Sequence, residues 1–389
     1  MLRNFFYQTH LYLGIASSIV LIILCLSGSI LAFEEEFIDL FDRSYRISKN
    51  ERAERLPLTQ KIANIETSTG KVVSGMMIFA EAEKNHLFML TNPKTETATG
   101  EHRRPEQMWV DSYTGEQIAK PESATAEGFF HWVMQLHRWL LLDRKIGRTI
   151  TGAATVIFLL LTISGLVLYS PAKLTGWLRR STWLPKLRIK KASGANFILH
   201  RNYSWYAAIP LLLMGFSALI WSYPSYYNGL ERLLGDQLGK QRFDKTIPLN
   251  YHPDTSTKML PIEAIIAKAD EALPYSTKIY RIDLPKTKDE SIMVRKKNAA
   301  FLAYDAADKI QIDPYTGEVI EIDEFRNWSF RSKVAALIRT IHIGSFVGIT
   351  SKIIYFLAAL LATSLPVTGL LLWVKKLRAG KKRKQIKLV

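Results

Sequence analysis

A chain of 389 residues with one cysteine, Cys25, can close no disulfide within itself. Its thiol content therefore leaves the redox compartment open. None of the 21 glycines is separated from another by a single residue. The chain thus lacks the Gly-x-Gly turn that cradles a dinucleotide or a phosphate. A His-Glu-x-x-His zinc-protease motif is also missing. Arg201-Asn202-Tyr203-Ser204 has the look of a flavin-binding segment, but it begins an apolar run and is set aside. Any nicotinamide or flavin that supplies electrons must then be carried by another protein.

Acidic residues are scarce where basic ones gather. The segment Ser170–Leu199 holds Lys173, Arg179, Arg180, Lys186, Arg188, Lys190 and Lys191 without an acid. The tail beyond Val374 holds Lys375, Lys376, Arg378, Lys381, Lys382, Arg383, Lys384 and Lys387, again without an acid. With Arg3 these account for sixteen of the formal net charge of +17. Four runs lack charge altogether: Leu11–Phe33, Thr149–Tyr169, Trp205–Tyr223 and Ile353–Val374. A hydrocarbon core of about 30 Å needs about 20 apolar residues in a helix, and each run meets that length. The basic segments flank these runs, which is the positive-inside pattern, so both termini and the middle loop are expected to be cytoplasmic. Charge placed this way argues for a lipid bilayer as partner and against a nucleic acid. Leu11–Phe33 reads as an uncleaved anchor, because its apolar region is long and only Arg3 precedes it. No organellar transit peptide is evident, and a bacterial inner (cytoplasmic) membrane is the simplest home.

The chain repeats itself. Trp109-Val110-Asp111-Ser112-Tyr113-Thr114-Gly115-Glu116-Gln117-Ile118 matches Gln311-Ile312-Asp313-Pro314-Tyr315-Thr316-Gly317-Glu318-Val319-Ile320. Leu56-Pro57-Leu58 matches Leu260-Pro261-Ile262, and Leu136-His137 matches Ile341-His342. One unit is helix, outer segment, helix, and both copies start on the same side, so the repeat is parallel. The fold class expected is a membrane α-helical protein. It has four main transmembrane helices in two tandem repeats, with two small α+β extracytoplasmic modules. Residues 1–33 are the cytoplasmic N-terminus and first span. Residues 34–148 are the first module with the His137 helix, and 149–169 the second span. The basic loop covers 170–199 and the third span 200–223. Residues 224–352 are the second module with the His342 helix, followed by the fourth span at 353–374 and a basic tail at 375–389.

Within the modules, Leu260–Ala272 has helical spacing after a proline. Gly75–Phe79, His86–Leu90 and Phe301–Tyr304 read as strands, and the Asp-x-Tyr-Thr-Gly-Glu segments read as hairpin turns that serve as scaffold.

Four histidines stand beside the four spans in matched pairs. His10 and His200 open the first and third, while His137 and His342 precede the second and fourth. An imidazole at a membrane interface is costly enough to point to function. Parallel symmetry sets equivalent residues at equal depth, so His10 should face His200 near the cytoplasm and His137 should face His342 near the outer surface. The pattern suggests two bis-histidine metal or haem sites. The alternative for each ring is a solvated or hydrogen-bonded side chain. His131 lies six residues before His137, about 240° around a helix, so both cannot reach one metal; it reads as a supporting or structural residue. His86, His102 and His252 have no repeat partners and read as surface residues. Gly28, Gly165, Gly369 and Ala218 allow close approach of a flat ring or of a neighbouring helix. Arg138, Arg201 and Arg339 suit anionic groups at the membrane surface or simple interfacial anchoring. Trp221, Tyr223, Tyr226 and Tyr227 form an interfacial belt, or part of a wall for a bulky acceptor.

The repeated turn, Leu136-His137-Arg138, Leu199-His200-Arg201 and the Ser/Thr-Gly-Leu ends of spans two and four resemble the PepSY-associated transmembrane family. The resemblance covers nearly the whole chain, although His342 is followed by Ile343 rather than arginine. Some members are inner-membrane ferric-siderophore reductases holding haem b by transmembrane histidines. The resemblance therefore implies PepSY-like modules and two haem b groups with axial ligands His10, His200, His137 and His342. It also implies a membrane oxidoreductase that takes electrons from an unidentified cytoplasmic flavin or nicotinamide protein and passes them to a periplasmic ferric siderophore. Two other functions remain open. The chain could be a cytochrome b serving a quinone or redox partner, or a non-catalytic binding or regulatory protein with structural histidines.

Overall fold

The computed structural model describes residues 2–41, 55–81, 84–92, 105–118, 125–170, 192–239, 245–254, 256–297 and 306–386. His102 and the expected strand Phe301–Tyr304 lie outside them, as does most of the basic loop. The chain divides into two compact units, Met1–Glu34 with Gly128–Gly235 and Ile338–Val389, and Glu35–Glu127 with Asp236–Leu337.

The first unit is helical. Among the described residues, four helices are long and apolar enough to cross a membrane: Leu2–Leu31, Arg144–Tyr169, Gly194–Ser222 and Ile349–Ala379. The protein is thus a multi-span helical membrane protein with an associated β-sheet. In chain order its helices are α1 (Leu2–Leu31), α2 (Glu34–Phe41), α3 (Leu58–Thr69), α4 (Thr125–Trp139), α5 (Arg144–Tyr169) and α6 (Ala192–Phe197). A π-helical turn at Ile198–Tyr203 joins α6 to α7 (Ser204–Ser222), followed by α8 (Pro224–Leu234) and α9 (Ile262–Ala272). The series ends with α10 (Phe330–Ala336), α11 (Ile338–Ile343) and α12 (Ile349–Ile386). Helix α1 packs on α5 and α12, and α7 packs on the same two. Repeat-equivalent helices therefore sit on opposite corners of a four-helix bundle, α1 across from α7 and α5 across from α12.

Two breaks shape the ends of this bundle. Asp143 caps α5, its carboxylate accepting from the backbone of Lys145 and Ile146. Just before it, Leu140 and Leu141 both adopt positive φ, 55° and 58°. Such a conformation costs a side-chain-bearing residue about 1–2 kcal/mol. It turns the chain sharply and makes α4 a separate helix. The second half makes the corresponding break with Gly344 at φ 77°, where a side chain would also collide with Tyr355.

Among the described residues, the second unit holds one antiparallel sheet of eight strands in the order β4-β3-β2-β1-β5-β6-β7-β8. Strands β1 (Val72–Phe79), β2 (His86–Thr91), β3 (Glu106–Val110) and β4 (Gln117–Ile118) come from the first half. Strands β5 (Ile279–Asp283), β6 (Ile292–Lys297), β7 (Ala307–Ile312) and β8 (Val319–Asp323) come from the second. The two small modules expected from the sequence are thus fused. β1 and β5 pair antiparallel, Met76 opposite Ile282, so each module's open edge satisfies the other's backbone groups. Helices α3 and α9 supply Ile65, Ile262, Ile265 and Ala269 to one shared core with Phe88, Val110, Ile282, Ile292 and Ile312. They meet at their N-termini, where the Thr59 hydroxyl donates to Glu263 at 2.8 Å and accepts from the Ile262 N–H at 3.1 Å.

Both Asp-x-Tyr-Thr-Gly-Glu segments are turns. Asp111 Oδ1 accepts from the N–H of Tyr113 and Thr114, as Asp313 Oδ1 does from Tyr315 and Thr316. Gly115 and Gly317 supply the left-handed residue, φ 75° and 74°. His86 is not on the surface but 3 % exposed in β2. Its Nδ1 has no hydrogen-bond partner among the described residues. Burial and the charges of Lys61 and Arg55 push its pKa down to about 3. Lys61 is buried beside it, donates to the Ser112 carbonyl, and is pushed down to about 8 by burial. The alternation of β2 placed His86 on the core face with Phe88 and Leu90, and the imidazole had to follow. His252, in contrast, is exposed, with Nδ1 3.1 Å from Asp289.

Candidate functional site

The bundle brings the four histidines together two by two. The rings of His10 and His200 lie 6.1 Å apart between centres, with their planes at 90°. Those of His137 and His342 lie 6.5 Å apart, with their planes at 50°. His10 sits inside α1 rather than at its start, and His200 sits in the π turn. One π turn holds an extra residue, which rotates the segment before it by about 100° relative to α7. His137 and His342 stand on α4 and α11, the short helices that precede the two breaks.

Each ring is held through its Nδ1 by a helix other than its own. His137 Nδ1 is 3.0 Å from both the Leu24 carbonyl and Ser27 Oγ on α1. His342 Nδ1 is 3.0 Å from the Met214 carbonyl and 3.1 Å from Ser217 Oγ on α7. His200 Nδ1 is 3.1 Å from the Leu365 carbonyl and Thr368 Oγ1 on α12. His10 Nδ1 is 2.9 Å from Ser164 Oγ on α5. A carbonyl can only accept, and Ser164 Oγ gives its own proton to the Leu161 carbonyl, so Nδ1 carries the proton in each ring. Every Nε2 is then an unprotonated lone pair, the form in which a neutral imidazole binds a metal.

Ser27 lies 17 residues after His10 on α1, so the two pairs stand roughly 25 Å apart along the bundle. A layer of Ala207, Leu211, Ala358 and Ala362, with Phe158 and Met214 against it, separates them. The His10/His200 pair opens on a cavity of about 510 Å³ lined also by Gly165, Gly369, Arg201 and Tyr169. That volume falls in the range of about 300–1,000 Å³ typical of cofactor sites. A family model for the PepSY-associated transmembrane region matches residues 7–376. The chain belongs to that family. No curated protein matches it.

In this PepSY-associated transmembrane protein, no group of three or more His, Cys, Asp or Glu gathers to hold a bare ion among the described residues. A pair of imidazoles suits a metal that arrives with its remaining ligands already in place. Positive charge accompanies each pair. Arg201 lies over the rings of Tyr169 and Phe197, 4.9 and 5.4 Å from their centres, at the cavity wall. Arg138 stacks on Trp139 at 5.0 Å and adds its charge to the surroundings of His137, as Arg339 does for His342. His131 is exposed and bonded to Gln135, away from the pair. Of the aromatic cluster, Trp221 contacts the site, its ring 4.9 Å from that of His342.

Reading the sequence missed Ser27, Ser217 and the π turn. A signal did exist for the hydroxyls: each directly precedes one of the four small residues Gly28, Gly165, Ala218 and Gly369. Which face of which helix they occupy depends on the bundle.

Proposed function

We propose that the protein is a di-haem b electron-transfer protein of a bacterial inner membrane, reducing ferric siderophores on the periplasmic side. One observation carries this reading. Two pairs of imidazoles have ring centres 6.1 and 6.5 Å apart, with every Nδ1 committed to a neighbouring helix. Two metal–imidazole bonds of about 2.0 Å each, with the half-widths of the rings, sum to roughly 6 Å. His10 and His200 would hold the cytoplasmic-side haem, and His137 and His342 the periplasmic-side one. A haem held by each pair would supply one-electron redox chemistry.

The remaining residues have supporting roles. Arg201, Arg138 and Arg339 offer charge-assisted hydrogen bonds to anionic propionates. Between the pairs lies an apolar layer that includes Leu211 and Ala362. The basic loop and tail support a cytoplasmic position for both termini, where a separate flavin or nicotinamide protein would serve as donor. The identity of the acceptor rests on the family resemblance. Its chemistry is simple: reducing Fe(III) to Fe(II) weakens the hold of hard oxygen donors and frees the metal.

The test is spectroscopic. Purified protein expressed with ample haem should show sharp low-spin b-type bands on reduction, with about two haems per chain. Adding a ferric siderophore to dithionite-reduced protein should reoxidise it, with Fe(II) appearing in a ferrous chelator assay. A colourless protein would end the proposal.

A further inference from the structure

Four two-residue steps recur at the histidines: Ser27-Gly28, Ser164-Gly165, Ser217-Ala218 and Thr368-Gly369. In each, the hydroxyl reaches Nδ1 of a histidine on another helix. In three of the four, the carbonyl three residues earlier, at Leu24, Met214 or Leu365, is a second partner of that same nitrogen. Each hydroxyl also donates its own proton back along its helix. Ser27 and Ser217 donate at 2.6 Å to Ile23 and Leu213, Thr368 at 3.0 Å to Ser364, and Ser164 at 3.1 Å to Leu161. The oxygen therefore has lone pairs free to accept and no proton left to give to the ring.

The small residue completes the grip. A Cβ placed on Gly28 would stand 3.0 Å from Cε1 of His137, and one on Gly369 3.0 Å from Cε1 of His200. On Gly165 it would stand 3.4 Å from Cε1 of His10. The Cε1 edge thus lies against the helix backbone while Nδ1 is bonded beside it. Turning the ring would break the bond to Nδ1 or drive the ring into the helix.

We propose that these four steps are positioning elements that fix the rotation of each axial imidazole and thereby make the two haem sites electronically different. This rests on the bis-histidine haem reading and deepens it. The plane angles of 90° at His10/His200 and 50° at His137/His342 are the settings they hold. The angle between two axial imidazole planes governs how the iron d orbitals split, so the two ferric signals differ in electron paramagnetic resonance. Back-bonding hydroxyls are common in membrane helices, and Thr363 does the same to Ala359 without touching a histidine. It is the natural control.

The experiment uses haem-loaded full-length protein in detergent, checked for monodispersity, with S27A, S217A, S164A, T368V, T368S and T363V. Ferric resonance spectra, redox titrations and haem affinity are the readouts. S27A and S217A should change the signal and potential of the His137/His342 site alone, and S164A and T368V those of the His10/His200 site alone. Each should lower haem affinity at its own site by about 10–100-fold. T368S should restore the parent spectrum, and T363V should leave both signals as they were. G28A and G369A should perturb their sites more than G165A does. Haem-loaded variants with both signals and potentials unchanged would overturn the proposal, as would changes at the wrong site. A parent protein that binds no haem would overturn the underlying reading and this one with it.

Discussion

Met76 of the first half of the chain lies directly opposite Ile282 of the second, and both side chains are fully buried. This contact sits at the join of β1 and β5, so the two repeats share one sheet and one core rather than folding as separate modules.

The join should make the sheet cooperative. Replacing Ile282 with alanine should cost about 2–5 kcal/mol, as other large-to-small core changes do. Hydrogen-exchange mass spectrometry of the full chain should then show faster exchange in β2 as well as in β6. Loosening confined to β6 would mean that the halves are independent.

The histidine pairs make a pairwise prediction. On the proposed di-haem reading, replacing either His10 or His200 with alanine should lower haem content from about two to about one per chain, with one spectral component lost. Replacing His137 or His342 should remove the other component. The double variants H10A/H200A and H137A/H342A should resemble their single variants, whereas H10A/H137A should lose both components. Loss in crossed pairs would contradict the pairing.

His86 should make the protein sensitive to acid. Its folded pKa of about 3 lies below the usual 6.5, so between these values an unfolded chain takes up a proton that the folded one refuses. Stability from this group is complete above pH 6.5 and is lost as pH falls toward 3, by an amount on the order of a few kcal/mol. The register of β2 and β6 places His86 where the second half has Ile292. H86I should flatten the fall in melting temperature between pH 6.5 and 4; an unchanged slope would exclude His86 as its source.

Lys61 acts in the alkaline range. Its pKa is held at about 8, below the usual 10.5, so the unfolded state binds more protons between those values and stability rises with pH there. K61M should remove that rise while keeping the core filled, measured as unfolding in urea at pH 7.5 and 10.

The turn after His137 stores strain in Leu140 and Leu141. Leu141, 46 % exposed at φ 58°, can be replaced with glycine without opening a cavity. L141G should relieve roughly 1 kcal/mol of left-handed strain, offset in part by the greater freedom of glycine in the unfolded chain. A small rise in melting temperature is expected; a fall of several degrees would show that the leucine side chain matters more than its backbone.

Much of the architecture was legible in the residues. Charge-free runs of spanning length can be little else, because an unpaired charge in hydrocarbon is costly and few other elements need so many apolar residues in a row. The duplicated turn exposed the repeat because its chemistry is local: Asp111 and Asp313 bond backbone two and three positions ahead, whatever surrounds them. Parallel duplication then named His10 with His200 and His137 with His342 as the residues to compare.

Tertiary structure alone decided the rest. Strand edges carry no label for their partner, so the β1–β5 join appears only when both modules share a core. Burial of His86 followed from the pleat of β2, which assigns a face to every second residue regardless of its polarity. The hold of Ser27 on His137 spans 110 positions and that of Thr368 on His200 spans 168. Such bonds depend on helix rotation and depth, which the π turn at His200 and the left-handed breaks after His137 and His342 set in three dimensions. Composition and periodicity determine which segments leave water; packing determines which atoms then meet, because hydrogen bonds are short and directional while hydrophobic burial is neither.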